Sequence, residues 1–311
     1  MLKEISEKEF YTIFTSTQNP FLTKEFYTLN KEKVEEVKFL IIDEPKPCIG
    51  MVLGCVDHSL LSPYSAPFGG VHFSHSNIYI DKIEAFAENL KDYFYFHKYN
   101  FFKCVFPPSI YGVSFNHKMI NAMVRKGFKM ETPELTSYVD LKEFNYRFSH
   151  KSSREYYNQA LRNEIVFKPV LEDETKQEIV ALIKENRERS SRKLRMVFED
   201  FKKIEGIWEV QYFGVFNLES EMVAGAIFYV FPNEKIVYTA IWGDSIAGRN
   251  FRAMDFLTFE SWSHFKKSDY HYIDLGISTE DNAVPNEGLL RFKETHEATT
   301  EMRFILTLDS L

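Results

Sequence analysis

The segment Tyr272-Ile273-Asp274-Leu275-Gly276-Ile277-Ser278 leads through Thr279-Glu280-Asp281-Asn282 to Asn286-Glu287-Gly288-Leu289-Leu290-Arg291-Phe292-Lys293-Glu294. Its first part has the apolar content of a buried strand and stops at a glycine. A polar loop follows. The last part reads as a short helix that presents Arg291 and Lys293. Polar groups gathered past the C-terminal end of a strand sit where open α/β sheets place ligands.

Working outward, three apolar strands precede this segment, at 210–217, 222–231 and 236–242, the last two separated by Pro232-Asn233-Glu234. A long helix is expected over about 250–266, and a last strand over 302–308. Upstream lie a polar helix at 149–162, a strand at 165–169 and helices at 174–189 and 197–205. The first half opens with helices at 6–14 and 23–29, then strands at 37–42 and 49–56 that form an antiparallel hairpin across a proline turn. A loop from Ser62 to Gly70 leads into Val71-His72-Phe73. Ile83, Phe86, Leu90, Tyr93 and Phe94 recur at helical spacing within 79–98. A strand at 101–106, a helix near 116–127 and a strand at 135–141 complete this half. Both halves thus place hairpin strands first and alternate helix and strand afterwards. This predicts an α/β chain of two related units, 1–144 and 145–311, each a mixed, mostly antiparallel sheet flanked by helices.

Composition agrees with two well-filled cores. The chain has 311 residues, 44% of them hydrophobic and 16% aromatic. With 38 Lys and Arg against 45 Asp and Glu, the formal net charge is -7, which argues against coating nucleic acid or anionic lipid through the overall field. Cys48, Cys55 and Cys104 have neither Cys-x-x-Cys spacing nor a disulfide framework, as suits a reducing compartment. No secretory signal and no membrane-spanning run are read, so a cytoplasmic location without membrane insertion is expected. Zinc-protease, nucleophile-elbow, Walker and dinucleotide fingerprints are all missing, and no metal site is expected.

Asp274-Leu275-Gly276-Ile277-Ser278 with Gly288-Leu289-Leu290-Arg291-Phe292-Lys293 resembles the Asp-x-Gly-x-Ser and Gly-Leu-x-x-Phe-Lys signature of Fem-type acyltransferases, a branch of the GNAT superfamily. The loop Pro63-Tyr64-Ser65-Ala66-Pro67-Phe68-Gly69-Gly70 is similar to a Pro- and Ser-containing loop ending in Gly-Gly in their first unit. The resemblance implies tandem GNAT-like units. It also implies transfer of an acyl or aminoacyl group from a thioester or ester to an amine, on a small molecule or a cell-envelope or glycan precursor. Such a donor reacts once a neutral amine is positioned, so the protein orients, removes a proton and stabilises the oxyanion.

By the same resemblance Lys293 would supply positive charge and Phe292 would pack the acyl or base moiety. Asp274 is the candidate base, or else a loop cap, with Glu287 and Glu294 as alternatives. An acyl-CoA would lie in a splay between two strands, against Tyr238, Trp242, Gly276 and Ser278, its pyrophosphate on the loop bearing Gly243, Gly248, Arg249 and Asn250. That loop departs from the family's glycine-rich pattern. Substrate contacts are expected at Lys151, Arg154, Arg291, Phe292, Tyr64 and Ser65. Arg187, Arg189, Arg192, Lys193 and Arg195 form a basic run that either is solvated or meets a phosphorylated acceptor, a nucleotide-sugar or a tRNA end. Acyl-CoA is the favoured donor over aminoacyl-tRNA, because the long paired helices of some tRNA-using relatives are missing. A non-catalytic binding module is the rival reading, and a homodimer through aromatic surface is compatible with the composition.

Overall fold

The structure, a computed structural model, describes residues 1–75 and 77–310. Its first elements are β1 Leu2–Glu4, α1 Glu7–Ile13, α2 Lys24–Asn30, β2 Glu36–Ile42, β3 Ile49–Val56, β4 Ser59–Ser62, β5 His72–Phe73, α3 Ile80–Phe96, β6 Phe101–Val105, α4 Val113–Arg125, β7 Lys129–Met130 and β8 Glu134–Asp140. Local chemistry sets several of them. Ser6 and Glu9 close a capping box at the start of α1. β2 and β3 pair antiparallel as predicted, and β3 is buried along nearly its whole length, which explains its unbroken apolar run. α3 buries Ile83, Phe86, Leu90, Tyr93 and Phe94, the face read from spacing.

The chain continues through α5 Lys151–Arg162, β9 Val166–Pro169, α6 Asp173–Glu188, α7 Phe198–Glu205, β10 Glu209–Phe216, β11 Met222–Phe231, β12 Ile236–Asp244, α8 Ile246–Phe251, α9 Ala253–Lys267, β13 Tyr272–Ile277, α10 Glu287–Thr295, β14 Ala298–Arg303 and β15 Ile305–Asp309. The helix expected over 250–266 is α9, and a separate short helix, α8, precedes it in the stretch expected as a loop. The two are separated at Arg252, which adopts a left-handed φ of 58° while its guanidinium lies 3.8 Å from the centre of the Tyr156 ring.

One sheet runs β1-β2-β3-β4-β6-β15-β7, with β5 on β3; the other runs β14-β8-β13-β12-β11-β10-β9. In each, antiparallel hairpin strands lead through a helix into one parallel pair, β4 with β6 and β12 with β13. The last strands of the two expected halves are exchanged. β8 pairs with β13, and β15 pairs with β6 and β7. One unit therefore comprises Met1–Leu135, Thr279–Val284 and the segment from Glu301, and the other Thr136–Ser278 and Pro285–Thr300, so neither is a continuous stretch. The strand expected at 302–308 is the end of β14 followed by β15, whose Leu306 and Leu308 join the first unit's core with Phe102 and Phe128. Alternation marks which side chains of a strand are buried, and it carries no information on which sheet receives them. Among the described residues no helix is long and apolar enough to cross a membrane.

Candidate functional site

In the second unit, β12 and β13 keep a parallel register for only three pairs, Ile236↔Tyr272, Val237↔Ile273 and Tyr238↔Asp274. Beyond these, β12 continues along β11 to Asp244. Register shifts flank the parting. Against β11, the pairing jumps from Ile227↔Ile241 to Phe228↔Thr239, making Ala240 the extra residue of a bulge. Against β8, β13 slips between Asp274↔Tyr138 and Ile277↔Thr136. Within that slip Gly276 has a φ of +67°, a left-handed conformation that costs a residue with a Cβ about 1–2 kcal/mol.

α10 supplies the groups that stabilise this kink. Lys293 is only 1% exposed, and its Nζ donates to the carbonyl oxygens of Gly276 at 2.8 Å and Ile277 at 2.9 Å. The buried Asp274 carboxylate accepts the Gly276 N–H at 2.7 Å. Burial pushes the Lys293 amine down to about 7, opposed by the Asp274 charge. A neutral lysine still has two N–H donors, enough for both carbonyls. Ser278 is fully buried, and its carbonyl accepts the Asn286 N–H at 2.8 Å. Asn286 in turn caps α10 by accepting the Leu289 N–H at 2.9 Å.

Beside Lys293, the Phe292 ring stacks on His296 at 4.1 Å and meets Trp242 edge-on at 5.7 Å. His296 Nδ1 lies 2.6 Å from the Phe292 carbonyl oxygen and Nε2 lies 3.0 Å from Asp255 Oδ1. Both ring nitrogens thus lie within hydrogen-bond distance of an oxygen, one on α10 itself and one on α9. The His296 carbonyl accepts the Trp262 indole N–H at 3.0 Å. Sequence reading missed Asp255, Trp262 and His296. The available signal was an aspartate inside the Phe256-Leu257 apolar run of α9, which only a buried partner justifies.

Tyr238 stacks on Tyr229 at 5.9 Å, and its hydroxyl would lie 3.9 Å from a Cβ placed on Gly276. Trp242 and Gly243 lie on β12 beyond Tyr238, Gly276 lies on β13, and Ser278 follows the end of β13. The loop expected to hold pyrophosphate is closely packed. Ser245 Oγ accepts the Gly248 N–H at 3.0 Å, the Ser245 N–H bonds to the Val223 carbonyl, and a Cβ on Gly248 would fall on that same oxygen. Asp244, immediately before, accepts from Asn186 Nδ2 at 2.6 Å and pairs with Arg189 at 3.6 Å; burial raises its carboxyl, and Arg249 and Arg189 oppose this. Arg249 and Asn250 are exposed.

The other expected residues lie elsewhere. Glu287 and Arg291 are exposed on α10. Lys151 and Arg154 line a cavity of about 440 Å³ with Arg147, Tyr157 and Phe259. Lys151 pairs with Glu155 at 3.7 Å, and Arg154 donates to the Phe148 and Ser149 carbonyls. Tyr64 and Ser65 belong to the first unit. There the Tyr64 hydroxyl donates to the Tyr27 carbonyl at 3.1 Å and Ser65 bonds Asn30 at 3.0 Å.

No protein-family model matches the chain, and no curated protein matches it at a significant level. Solved structures match along the whole length. FemX aligns with a TM-score of 0.67 at 13% identity, over 98% of this chain and 96% of that one. The C-terminal domain of a putative lysylphosphatidylglycerol synthetase from Agrobacterium fabrum aligns with a TM-score of 0.58 at 13% identity, over 97% and 92%. A tandem GNAT protein from the clavulanic acid biosynthesis pathway gives 0.58 at 10% identity, over 100% and 98%. The fold is therefore a tandem GNAT-like fold, shared along the whole chain with the tandem GNAT protein and superposable on FemX.

Proposed function

We propose that the second unit transfers an acyl group from an activated ester or thioester to an amine. The observation that carries this reading is the parting of β12 from β13 after Tyr238↔Asp274, with Lys293 and Phe292 of α10 at the opened end. Past Tyr238, β12 turns its backbone toward a strand that has moved away. An extended acyl arm laid there would be oriented by strand-like hydrogen bonds, and orientation is most of what an activated donor needs. Lys293 and Asp274 would hold the Gly276 turn and with it the shape of the opened end, and Phe292 would wall the acyl group.

Two donors follow from the neighbours, one of which is described by reference to acetyl-CoA and another as a lysylphosphatidylglycerol synthetase. The start of α8 favours an aminoacyl ester. Its Gly248 N–H is occupied by Ser245, and the Asp244 carboxylate stands where a pyrophosphate would approach. The acceptor would be an amine on a small molecule or an envelope or glycan precursor. The deciding experiment incubates the full chain with acetyl-CoA, or with charged aminoacyl-tRNA, and a panel of amines, and detects N-acylated product by mass spectrometry. Product lost in Lys293→Ala and Asp274→Asn with the fold retained supports the reading. No product from either donor defeats it and leaves a binding module.

A further inference from the structure

The first unit holds a cavity of about 320 Å³ bordered by α1, α2 and the start of β2. Tyr27, Phe39 and Tyr64 line it, the rings of the two tyrosines lying 5.6 Å apart. A Cβ on Gly54 of β3 would come within 2.5 Å of the Tyr64 ring, so this ring rests on bare backbone. Its hydroxyl is committed to the Tyr27 carbonyl at 3.1 Å, which fixes the ring at the cavity.

Glu7, Glu32, Glu35 and Glu36 share the lining, with Lys31 as the one cation among the described residues there. Glu7 pairs with Lys24 at 3.7 Å and Glu36 with Lys38 at 2.8 Å. Glu35 accepts the Asp57 N–H at 3.2 Å, and neither it nor Glu32 has an ion pair among the described residues. Exposed carboxylates beside buried rings attract a cation and offer it aromatic faces. Among the described residues, no three carboxylate, histidine or cysteine groups gather as a metal ion requires. The lining therefore suits an organic cation.

Tyr27 narrows the choice. It is only 5% exposed, and its hydroxyl is buried with no hydrogen-bond partner. The Tyr11 hydroxyl of α1, in the same aromatic cluster, is buried and unpartnered too. Such groups are costly unless something meets them. Burial holds the Tyr27 phenol well above the usual tyrosine range, so it stays neutral and its oxygen can accept an N–H. A quaternary ammonium has no N–H to give, whereas a primary ammonium has three.

We propose that this cavity binds a primary alkylammonium ion, its N–H groups accepted by the Tyr27 hydroxyl and the Glu32 carboxylate and its chain packed on Phe39 and Tyr64. A volume of about 320 Å³ is at the lower end for small-molecule sites and suits a short chain. This site goes beyond the acyltransferase reading and does not depend on it.

The test is calorimetric titration of the full chain at pH 7 and constant ionic strength with pentylammonium, tetramethylammonium and 1-pentanol. Pentylammonium is expected to bind at one site, at least about tenfold more tightly than the other two. Tyr27→Phe should weaken it about tenfold, the loss typical of one hydrogen bond to a charged group, and Glu32→Gln about threefold, as suits an exposed carboxylate. Glu219→Gln, which removes an exposed charge in the second unit, should leave it unchanged. Tyr27→Phe should melt no lower than wild type, because it removes an unpartnered hydroxyl. Nα-acetyl-lysine amide carries the same group: tighter binding than pentylammonium assigns the site to a lysine side chain, and weaker binding to a free amine. Equal affinity of wild type and Tyr27→Phe, the result if water meets the hydroxyl, overturns the site. So does 1-pentanol or tetramethylammonium binding as tightly as pentylammonium, or a lower melting point of Tyr27→Phe.

Discussion

Lys293 Nζ lies 2.8 Å from the carbonyl oxygen of Gly276, so a lysine on α10 occupies the place that a neighbouring strand's N–H holds in an unbroken sheet. The Ile277 carbonyl is satisfied by the same amine. The opening between β12 and β13 is therefore stabilised from within, since buried carbonyls without donors are costly. This links the Phe-Lys motif to the local backbone: the motif's lysine makes the departure from regular pairing affordable in free energy.

Lys293→Met should destabilise the fold as well as abolish transfer. It removes both donors, and each orphaned buried carbonyl costs about 1–3 kcal/mol, partly offset because the amine no longer has to be buried. Urea unfolding at pH 9 is expected to show a net loss of about 2 kcal/mol. An unchanged midpoint with an unchanged slope would mean that water replaces the amine, and would remove the structural role.

The same residue sets a pH dependence. In the folded chain Lys293 titrates at about 7, against 10.5 for an ordinary lysine, so between these values the unfolded chain binds more protons. Stability contributed by this site therefore rises as pH increases from about 7 toward 10.5 and is flat below about 6, at no more than about 1.4 kcal/mol per unit. Subtracting the unfolding free energies of Lys293→Met from those of wild type across this range isolates the contribution. A difference that is constant with pH would show that Lys293 stays charged in the fold.

Much of this arrangement is legible in the chain because it is local. Asp274, Gly276 and Ser278 share one strand end, and Phe292 and Lys293 share one helical turn, so the motif and its spacing placed them together. What periodicity leaves open is the direction of a long side chain. Lys293, expected to face substrate, faces β13, and its burial follows from carbonyls that only the three-dimensional kink leaves unpaired. The exchange of β8 and β15 was illegible for a similar reason: an alternating strand specifies a buried face and not a partner. The Arg187 run was visible as charge, whereas the pairing of Arg189 depends on Asp244 from β12.

Gly276→Ala tests the kink directly. At a φ of +67° alanine is strained, yet the nearest atom to its Cβ would be the Tyr238 hydroxyl at 3.9 Å, an ordinary contact. The expected cost is thus conformational alone, about 1–2 kcal/mol in unfolding free energy. Transfer should fall by more than that stability loss accounts for, because relaxing the turn withdraws the carbonyl that Lys293 holds. Unfolding and initial rates measured on the same preparation separate the two, and a variant of reduced stability with full activity would show that the turn geometry is irrelevant to turnover.

His296 and Asp255 form the other internal constraint on α10. The imidazole supports the Phe292 ring from below, bonds the Phe292 carbonyl, and is held by a carboxylate 41 residues away in sequence. Removing one member of a buried hydrogen-bonded pair leaves the other's polar atom without its partner, typically at about 1–3 kcal/mol. Asp255→Asn and His296→Gln should each approach the lower figure, and the double variant should recover part of the loss, with a coupling above about 1 kcal/mol. Because Phe292 would lose its support in both, KM for the acyl donor should rise more than kcat falls. Strict additivity of the two substitutions, or equal effects on KM and kcat, would show that the pair supports the core of the unit without positioning Phe292.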